Sequence, residues 1–180
     1  MPAQYTNVRV LMLNPVAVNN LEAECQELFS KLSSLQSEIK EKMSAYSDGK
    51  NLKGNEIVGW LGEIYGKLLF DGKLVDDQKE HDFVSASGSL VSVKTRKGWA
   101  SGWRKTSAIP KIEGVECPTH LLFIHLNDDY SIDLMWMFDW HKIISEDRFK
   151  KHVVRGEQRS FTFTINEAKD KDHVIYAKKP

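Results

Sequence analysis

The sequence predicts an α/β (α+β) fold in which helices flank a central mixed β-sheet. Two segments within the first 70 residues repeat apolar side chains at spacings of three and four, as helices do. From residue 82 onward the apolar period becomes that of strands separated by turn residues. Because no repeat or composition shift divides the chain, we expect one domain over residues 1–180. Its helical part (17–70) would pack on a sheet core (80–177).

Composition limits the class of protein. Apolar residues make up 41% of the 180 residues, enough for the chain to bury its own core. No stretch approaches the roughly 18 to 20 apolar residues of a membrane span, and the first residues lack the layout of a signal peptide. We therefore expect a cytoplasmic protein with no membrane partner. Cys25 and Cys117 are expected to be reduced thiols, and no pair of Cys or His residues has the spacing of a zinc site.

The first predicted helix covers residues 17–46. Its apolar residues alternate at spacings of four and three, which gives two interpretations. The helix packs on its own domain, which we favour, or it forms a short coiled coil with a second copy in a homodimer. The seam consists of Leu21, Cys25, Leu28, Leu32, Leu35 and Ile39.

The second predicted helix covers residues 55–70. Its expected buried stripe is formed by Ile57, Leu61, Ile64 and Leu68, with Glu63 beside that stripe. Asp71 and Gly72 supply the residues that end the helix.

Several strands are predicted after this helix. We predict a hairpin with strands at residues 82–84 and 90–94, joined by residues 85–89. We predict a basic loop or a broken helix over residues 95–112. Residues 119–126 form a nearly continuous apolar run, typical of a strand covered on both faces. Residues 131–137 form the next strand, and 160–165 and 173–177 are candidate edge strands.

The length of the hairpin loop determines which residue of the second strand lies opposite Asp82. Side chains alternate across a strand, so Ser92 and Lys94 share one face. With an odd loop, for example 86–88, Asp82 lies opposite Ser92 and all three side chains project from that face. An even loop would break this arrangement.

Glu63, Asp82 and Lys94 have the chemistry of phosphodiester cleavage. Mg²⁺ is held in proteins by one or two carboxylates and keeps several waters. The ion polarises the phosphate and lowers the pKa of an attacking water, and a nearby lysine balances the developing charge. We therefore assign Glu63 and Asp82 as candidate ligands of Mg²⁺ (or Mn²⁺ as a substitute), with Ser92 and Lys94 completing the catalytic set.

These residues resemble the motif of the PD-(D/E)xK, or restriction endonuclease-like, nuclease superfamily. The matching parts are Gly62-Glu63 in an apolar helix, Asp82 opening a strand, and Ser92 to Arg96 closing the hairpin. The resemblance covers about residues 55–126, extending by pattern toward 140. It implies a central mixed sheet flanked by helices, dependence on Mg²⁺ and a DNA substrate.

The motif departs from the family pattern at two positions. His81 stands where a proline usually precedes the aspartate, and Ser92 stands where the family has an Asp or Glu. Some members carry Ser-x-Lys and take the carboxylate from elsewhere, which makes Glu63 the substitute, ahead of Glu113 or Glu56. The same departure leaves open a protein that has lost the metal and only binds.

A basic segment follows the lysine. No acid occurs from residue 94 to residue 112, and tryptophans alternate with positive charges there. Lysine and arginine neutralise phosphates and tryptophan stacks on bases, although both tryptophans could instead fill the core. The candidate nucleic-acid-binding residues are Arg96, Lys97, Trp99, Trp103, Arg104 and Lys105.

The expected function is a Mg²⁺-dependent endonuclease acting on double-stranded DNA, of restriction type or related to defence. The first alternative is a catalytically inactive nuclease-fold module that binds nucleic acid or a protein. The second is a metal-free interaction protein that uses the long first helix.

Overall fold

The computed structural model describes residues 13–44, 56–75, 79–98 and 105–178. The helices are α1 (Pro15–Ser44), α2 (Glu56–Leu69) and α3 (Trp140–Ser145), with one 3₁₀ turn at Lys171–His173. The strands in chain order are β1 (Lys73–Leu74), β2 (Phe83–Val84), β3 (Leu90–Lys97), β4 (Thr106–Ile109), β5 (His120–Leu126), β6 (Ile132–Asp139), β7 (Lys150–Val154), β8 (Glu157–Thr164) and β9 (Val174–Ala177).

Six strands form a mixed sheet in the order β1-β2-β3-β5-β6-β9. Within it β3 and β5 run parallel, and every other neighbouring pair is antiparallel. A second, antiparallel sheet has the order β4-β8-β7. The predicted α+β class with a mixed sheet flanked by helices is confirmed.

The six-stranded sheet is buried on both faces. On one face, the helix side, Val91 and Val93 of β3 join Leu122 and Ile124 of β5 in a core shared with α1 and α2. On the other face, the second-sheet side, neighbouring positions of β5 and β6 pack against the three-stranded sheet. This double burial explains why β5 reads as a continuous apolar run rather than an alternating one.

Two glycines let α2 approach the sheet closely. A Cβ at Gly62 would fall 1.7 Å from Thr95 Oγ1, and one at Gly66 would fall 2.8 Å from Leu122 Cδ2. The buried stripe is therefore centred on these glycines, one position away from the predicted stripe. Ile64 and Leu68 are only partly buried, a correction to the prediction, and the side chain of Ile57 lies outside the described residues. The fully buried apolar residues of α2 are Val58, Leu61, Tyr65 and Leu69.

The first helix packs on its own domain, as favoured, but along a displaced stripe. Val18 and Glu22 are buried, whereas Leu28 and Leu35 of the predicted seam are 63% and 54% exposed. Glu22 accepts hydrogen bonds from the Ile132 backbone N–H at 3.1 Å and from Lys178 Nζ at 3.2 Å. This buried carboxylate therefore ties α1 to the start of β6 and to the C-terminal segment.

Four short or exposed elements have no counterpart in the sequence prediction. They are β1, β4, β7 and α3, and α3 begins where the Asp139 side chain accepts from the Lys142 backbone N–H at 2.8 Å. Among the described residues no helix is long and apolar enough to cross a membrane. Cys25 and Cys117 are free thiols, each partly exposed.

Candidate functional site

The β2–β3 hairpin has the register in which Asp82 opposes Ser92. Phe83 pairs with Val91 and Val84 with Leu90, so the next position outward brings Asp82 opposite Ser92. The backbone N–H of Ser85 donates to the Ser89 carbonyl at 2.9 Å, which closes a turn over residues 86–88. Gly88 has φ +81°, a conformation that glycine adopts without strain. The turn is odd in length, and the predicted register is confirmed.

The Asp82 carboxylate bonds to both the side chain and the backbone of β3. Its Oδ2 accepts from Ser92 Oγ at 3.3 Å and from the Val93 backbone N–H at 2.5 Å. The Asp82 N–H donates to the Val91 carbonyl at 2.9 Å. The carboxylate thus replaces the backbone pairing that would have continued β2. Asp82 Oδ1 makes no hydrogen bond within the described part of the chain.

A gap in the sheet opens beyond Asp82. On its other edge β3 pairs with β5 along its length from Val91 to Lys97. On the β2 side its strand partners end at Val91, and among the described strands none pairs with residues 93–97 there. We call this the β3 gap. On the helix side α2 packs against β3 here, since Gly62 abuts Thr95.

Lys94 lies on the second-sheet side with Ser92. Alternation along β3 sends Val91, Val93 and Thr95 to the helix side, and Ser92 and Lys94 to the opposite face. Lys94 is half-buried, and within the described ranges its ammonium has no ion-pair partner. The structure therefore brings Asp82 and Ser92 into contact beside the β3 gap and places Lys94 on the same face of β3 as Ser92.

Glu63 approaches from the opposite direction. Its helix lies on the helix side of the sheet, since the neighbouring Gly62 abuts Thr95. The structure places α2, and with it Glu63, on the helix side and not on the face that carries Ser92 and Lys94. Among the described residues no group of three or more His, Cys, Asp and Glu side chains is arranged to hold a metal ion. Glu113 is exposed, and the side chain of Glu56 lies outside the described residues.

Residues 94–112 contain no acid, but two of the lysines in this segment contact acidic side chains from other parts of the chain. Lys105 forms an ion pair with Glu167, and Lys111 Nζ lies 3.5 Å from a carboxylate oxygen of Glu80. The expectation of a basic segment without acidic partners is therefore corrected for these two lysines, because distant parts of the chain supply the acids.

The other basic residues of this segment are also held within the fold. Arg96 Nε donates to the Thr106 carbonyl at 2.7 Å, and burial lowers the pKa of its guanidinium. Lys97 Nζ lies 4.3 Å from the centre of the Tyr130 ring. Arg96 thus joins β3 to β4, and Lys97 covers an aromatic ring of the helix side. The predicted contributions of Trp99, Trp103 and Arg104 lie outside the described residues.

A buried histidine of β5 next to this region makes polar contacts with both of its ring nitrogens. His125 is 0% exposed. Its Nδ1 lies 2.9 Å from Asp133 Oδ2 and its Nε2 lies 3.2 Å from the Gly98 carbonyl. The contact fastens the end of β3 to β5 and β6. An Asp eight residues after a His in an apolar strand is the only signal of it in the sequence, and it is a weak one.

In comparisons with known proteins, no family model matches this sequence and no curated protein matches it significantly.

Proposed function

We propose that this protein is a Mg²⁺-dependent endonuclease that hydrolyses phosphodiester bonds of double-stranded DNA at the β3 gap. The observation that supports the proposal is the contact of Asp82 with Ser92 across the end of the hairpin, with Lys94 on the same face of β3 as Ser92. The opposed register puts the carboxylate within 3.3 Å of the serine hydroxyl, with the lysine two positions further along β3. The restriction endonuclease-like motif predicts this arrangement from the sequence.

The donor set at the gap suits a hard divalent ion. One oxygen of Asp82 is held by Val93 and Ser92, which leaves the other for a ligand. Mg²⁺ needs only one or two carboxylates when substrate phosphate and water complete its shell. In the proposal Asp82 holds the ion, and Glu63 on α2 is the candidate for a second carboxylate. When bound, Mg²⁺ would polarise the phosphate and acidify a water.

The remaining roles belong to the side chains on the second-sheet side. The Ser92 hydroxyl and the Val93 N–H orient the carboxylate of Asp82, since both donate to the same oxygen. Lys94, two residues after Ser92 on the same face of β3, would balance charge that develops on the phosphate. A half-buried ammonium acts more strongly here than in bulk water because the surrounding dielectric is lower.

A plasmid-nicking assay tests this proposal. We expect supercoiled DNA to be converted to open circles with Mg²⁺ or Mn²⁺, and not with EDTA. Lys94→Ala should abolish the conversion, whereas Lys73→Ala, which removes an exposed lysine from β1, should leave it unchanged. Far-UV circular dichroism of both variants establishes that they fold. A Lys94→Ala protein that nicks at the wild-type rate would exclude the proposed site.

A second candidate is a nuclease-fold module that binds nucleic acid or a protein without cleaving. It is favoured by Ser92, which stands where the motif has an acid, and by the strand-ending role of the Asp82 carboxylate. Duplex binding in EDTA together with no nicking in Mn²⁺ would select this candidate over the enzyme.

We also propose that the protein is cytoplasmic and that two copies form a homodimer. A homodimer through α1 would use the exposed Leu28 and Leu35, seven residues apart on that helix. Light scattering of the wild type and of Leu28→Glu distinguishes a dimer from a monomer.

A further inference from the structure

Beyond Ile109, the last residue of β4, strands β7 and β8 continue as a two-stranded ribbon with little core beneath it. Residues 153–159 are exposed, including Val153 at 53% and Val154 at 37%. Toward the C-terminal end of β8, Phe161 and Phe163 pack into the core between the two sheets. We call residues 150–160 the arm. The arm carries a net positive charge. It contains one acidic residue, Glu157, and four basic residues, with one histidine in addition: Lys150, Lys151, Arg155, Arg159 and His152.

The arm ends in a two-residue turn. Val154 pairs with Glu157 across it, and the two turn residues have positive φ, +52° at Arg155 and +83° at Gly156. A turn with two positive φ values favours Asn-Gly, because an L side chain is strained at the first position. An arginine at this tip therefore runs against the backbone preference. It presents a guanidinium at the furthest point of the ribbon.

The arm extends from the end of the second sheet that adjoins the candidate site. Ile109, the last residue of β4, pairs with Phe161, so the turn of the arm lies beyond this end of β4. The chain leaving β4 at the same end brings Lys111 within 3.5 Å of Glu80, two residues before Asp82. A duplex lying along that end of the molecule could contact both the arm and the β3 gap.

The charges of the arm are available to a polyanion. Lys150 pairs with Asp147 at 2.6 Å and Arg159 with Glu157 at 3.1 Å, but all four side chains are more than half exposed. Exposed pairs contribute little stability, so phosphates can replace the carboxylates. Within the described part of the chain Lys151 and Arg155 have no acidic partner.

We propose that the arm binds the backbone of duplex DNA, with Arg155 at its tip and Lys151 on β7 each contacting a phosphate. The inference rests on the proposed function for the identity of the polyanion. A two-stranded ribbon has the width that the major groove of B-DNA admits. Lysines on an exposed edge strand also block pairing with other chains. That role explains Lys151 on the edge strand β7, but not an arginine in a strained turn.

Arg155→Asn separates binding from folding. Asparagine tolerates positive φ, so the variant should be at least as stable as the wild type in thermal unfolding. Fluorescence anisotropy with a labelled duplex in EDTA, at several salt concentrations, should show weaker binding. The log–log salt dependence should flatten by about 0.9 for one lost phosphate contact, and by about twice that in Lys151→Ala/Arg155→Asn. Lys31→Ala, on α1 and so on the opposite side of the six-stranded sheet, should keep the wild-type slope.

Two results separate this inference from the proposed function. Wild-type protein that nicks plasmid, with an unchanged salt slope in both arm variants, overturns the arm and leaves the enzyme standing. If the salt dependence of binding flattens in the arm variants but the wild-type protein does not nick plasmid, the result supports DNA binding by the arm and contradicts the catalytic proposal.

Discussion

Asp82 and Ser92 face each other across the end of the β2–β3 pairing, with Asp82 Oδ2 3.3 Å from Ser92 Oγ. The same carboxylate oxygen receives the Val93 N–H at 2.5 Å, so one side chain both ends a strand and opens the β3 gap. The residues expected to do chemistry are therefore also part of the local folding of the hairpin.

Ser92→Asp should restore the acid that the motif lacks. Ser92 is only 5% exposed, so the new carboxylate would lie close to Asp82 in a poorly solvated position. Two like charges there disfavour double ionisation, and we expect a lower melting temperature without metal. Because Mn²⁺ would neutralise the pair, it should raise the melting temperature of the variant more than that of the wild type. Calorimetric titration with Mn²⁺ measures the gain directly, and equal affinities would contradict this role of position 92.

Gly62→Ala and Gly59→Ala should have opposite effects on stability. At Gly62 a Cβ would overlap Thr95 Oγ1, so we expect a loss of about 1–3 kcal/mol or more from overpacking. At Gly59 no atom of the described residues lies within 4 Å of the added Cβ. That substitution should stabilise α2 by about 0.8–1.0 kcal/mol through helix propensity. Urea denaturation of both variants makes the comparison, and equal effects would contradict the close contact of α2 with β3.

Arg148→Met should destabilise the core between the two sheets, which includes Phe138 and Phe163. Asp170 is 1% exposed, and both of its oxygens are held by Arg148 at 2.8 and 2.9 Å. Removing the guanidinium leaves a buried charge uncompensated, which costs about 3–5 kcal/mol. The double variant Arg148→Met/Asp170→Asn removes that charge and should recover part of the loss. Chemical denaturation measures both. A double variant no more stable than the single one would indicate that the arginine acts by packing on Phe163.

His120 should make the protein less stable in mild acid. Burial lowers the pKa of its imidazole, while Asp139 opposes that effect. The unfolded chain, with a histidine pKa of about 6.5, therefore takes up the proton first as the pH falls. This contribution to stability is present above that value and is lost as the pH falls toward the lowered pKa of the folded state. His120→Gln should reduce the difference in urea midpoint between about pH 7.5 and about pH 5.5. The same difference in the variant would assign the acid sensitivity to another group.

The periodicity of apolar residues was sufficient to predict the longer helices and strands from the sequence. Helix α1, helix α2 and strand β5 follow from apolar spacing, and the register of Asp82 against Ser92 follows from the odd length of one turn. The reason is geometric, because side-chain alternation and loop parity are fixed by the covalent backbone. Two-residue strands such as β1 carry too few residues to show a period.

Tertiary structure alone decided which of these elements share a face. The sequence put Glu63 beside the stripe of α2, but the contact of Gly62 with Thr95 determines that this helix lies across the sheet from Lys94. Likewise the acid-free run after Lys94 meets Glu167 and Glu80 in space. Such contacts join residues far apart in the chain, and they depend on how whole elements pack, which no local period encodes.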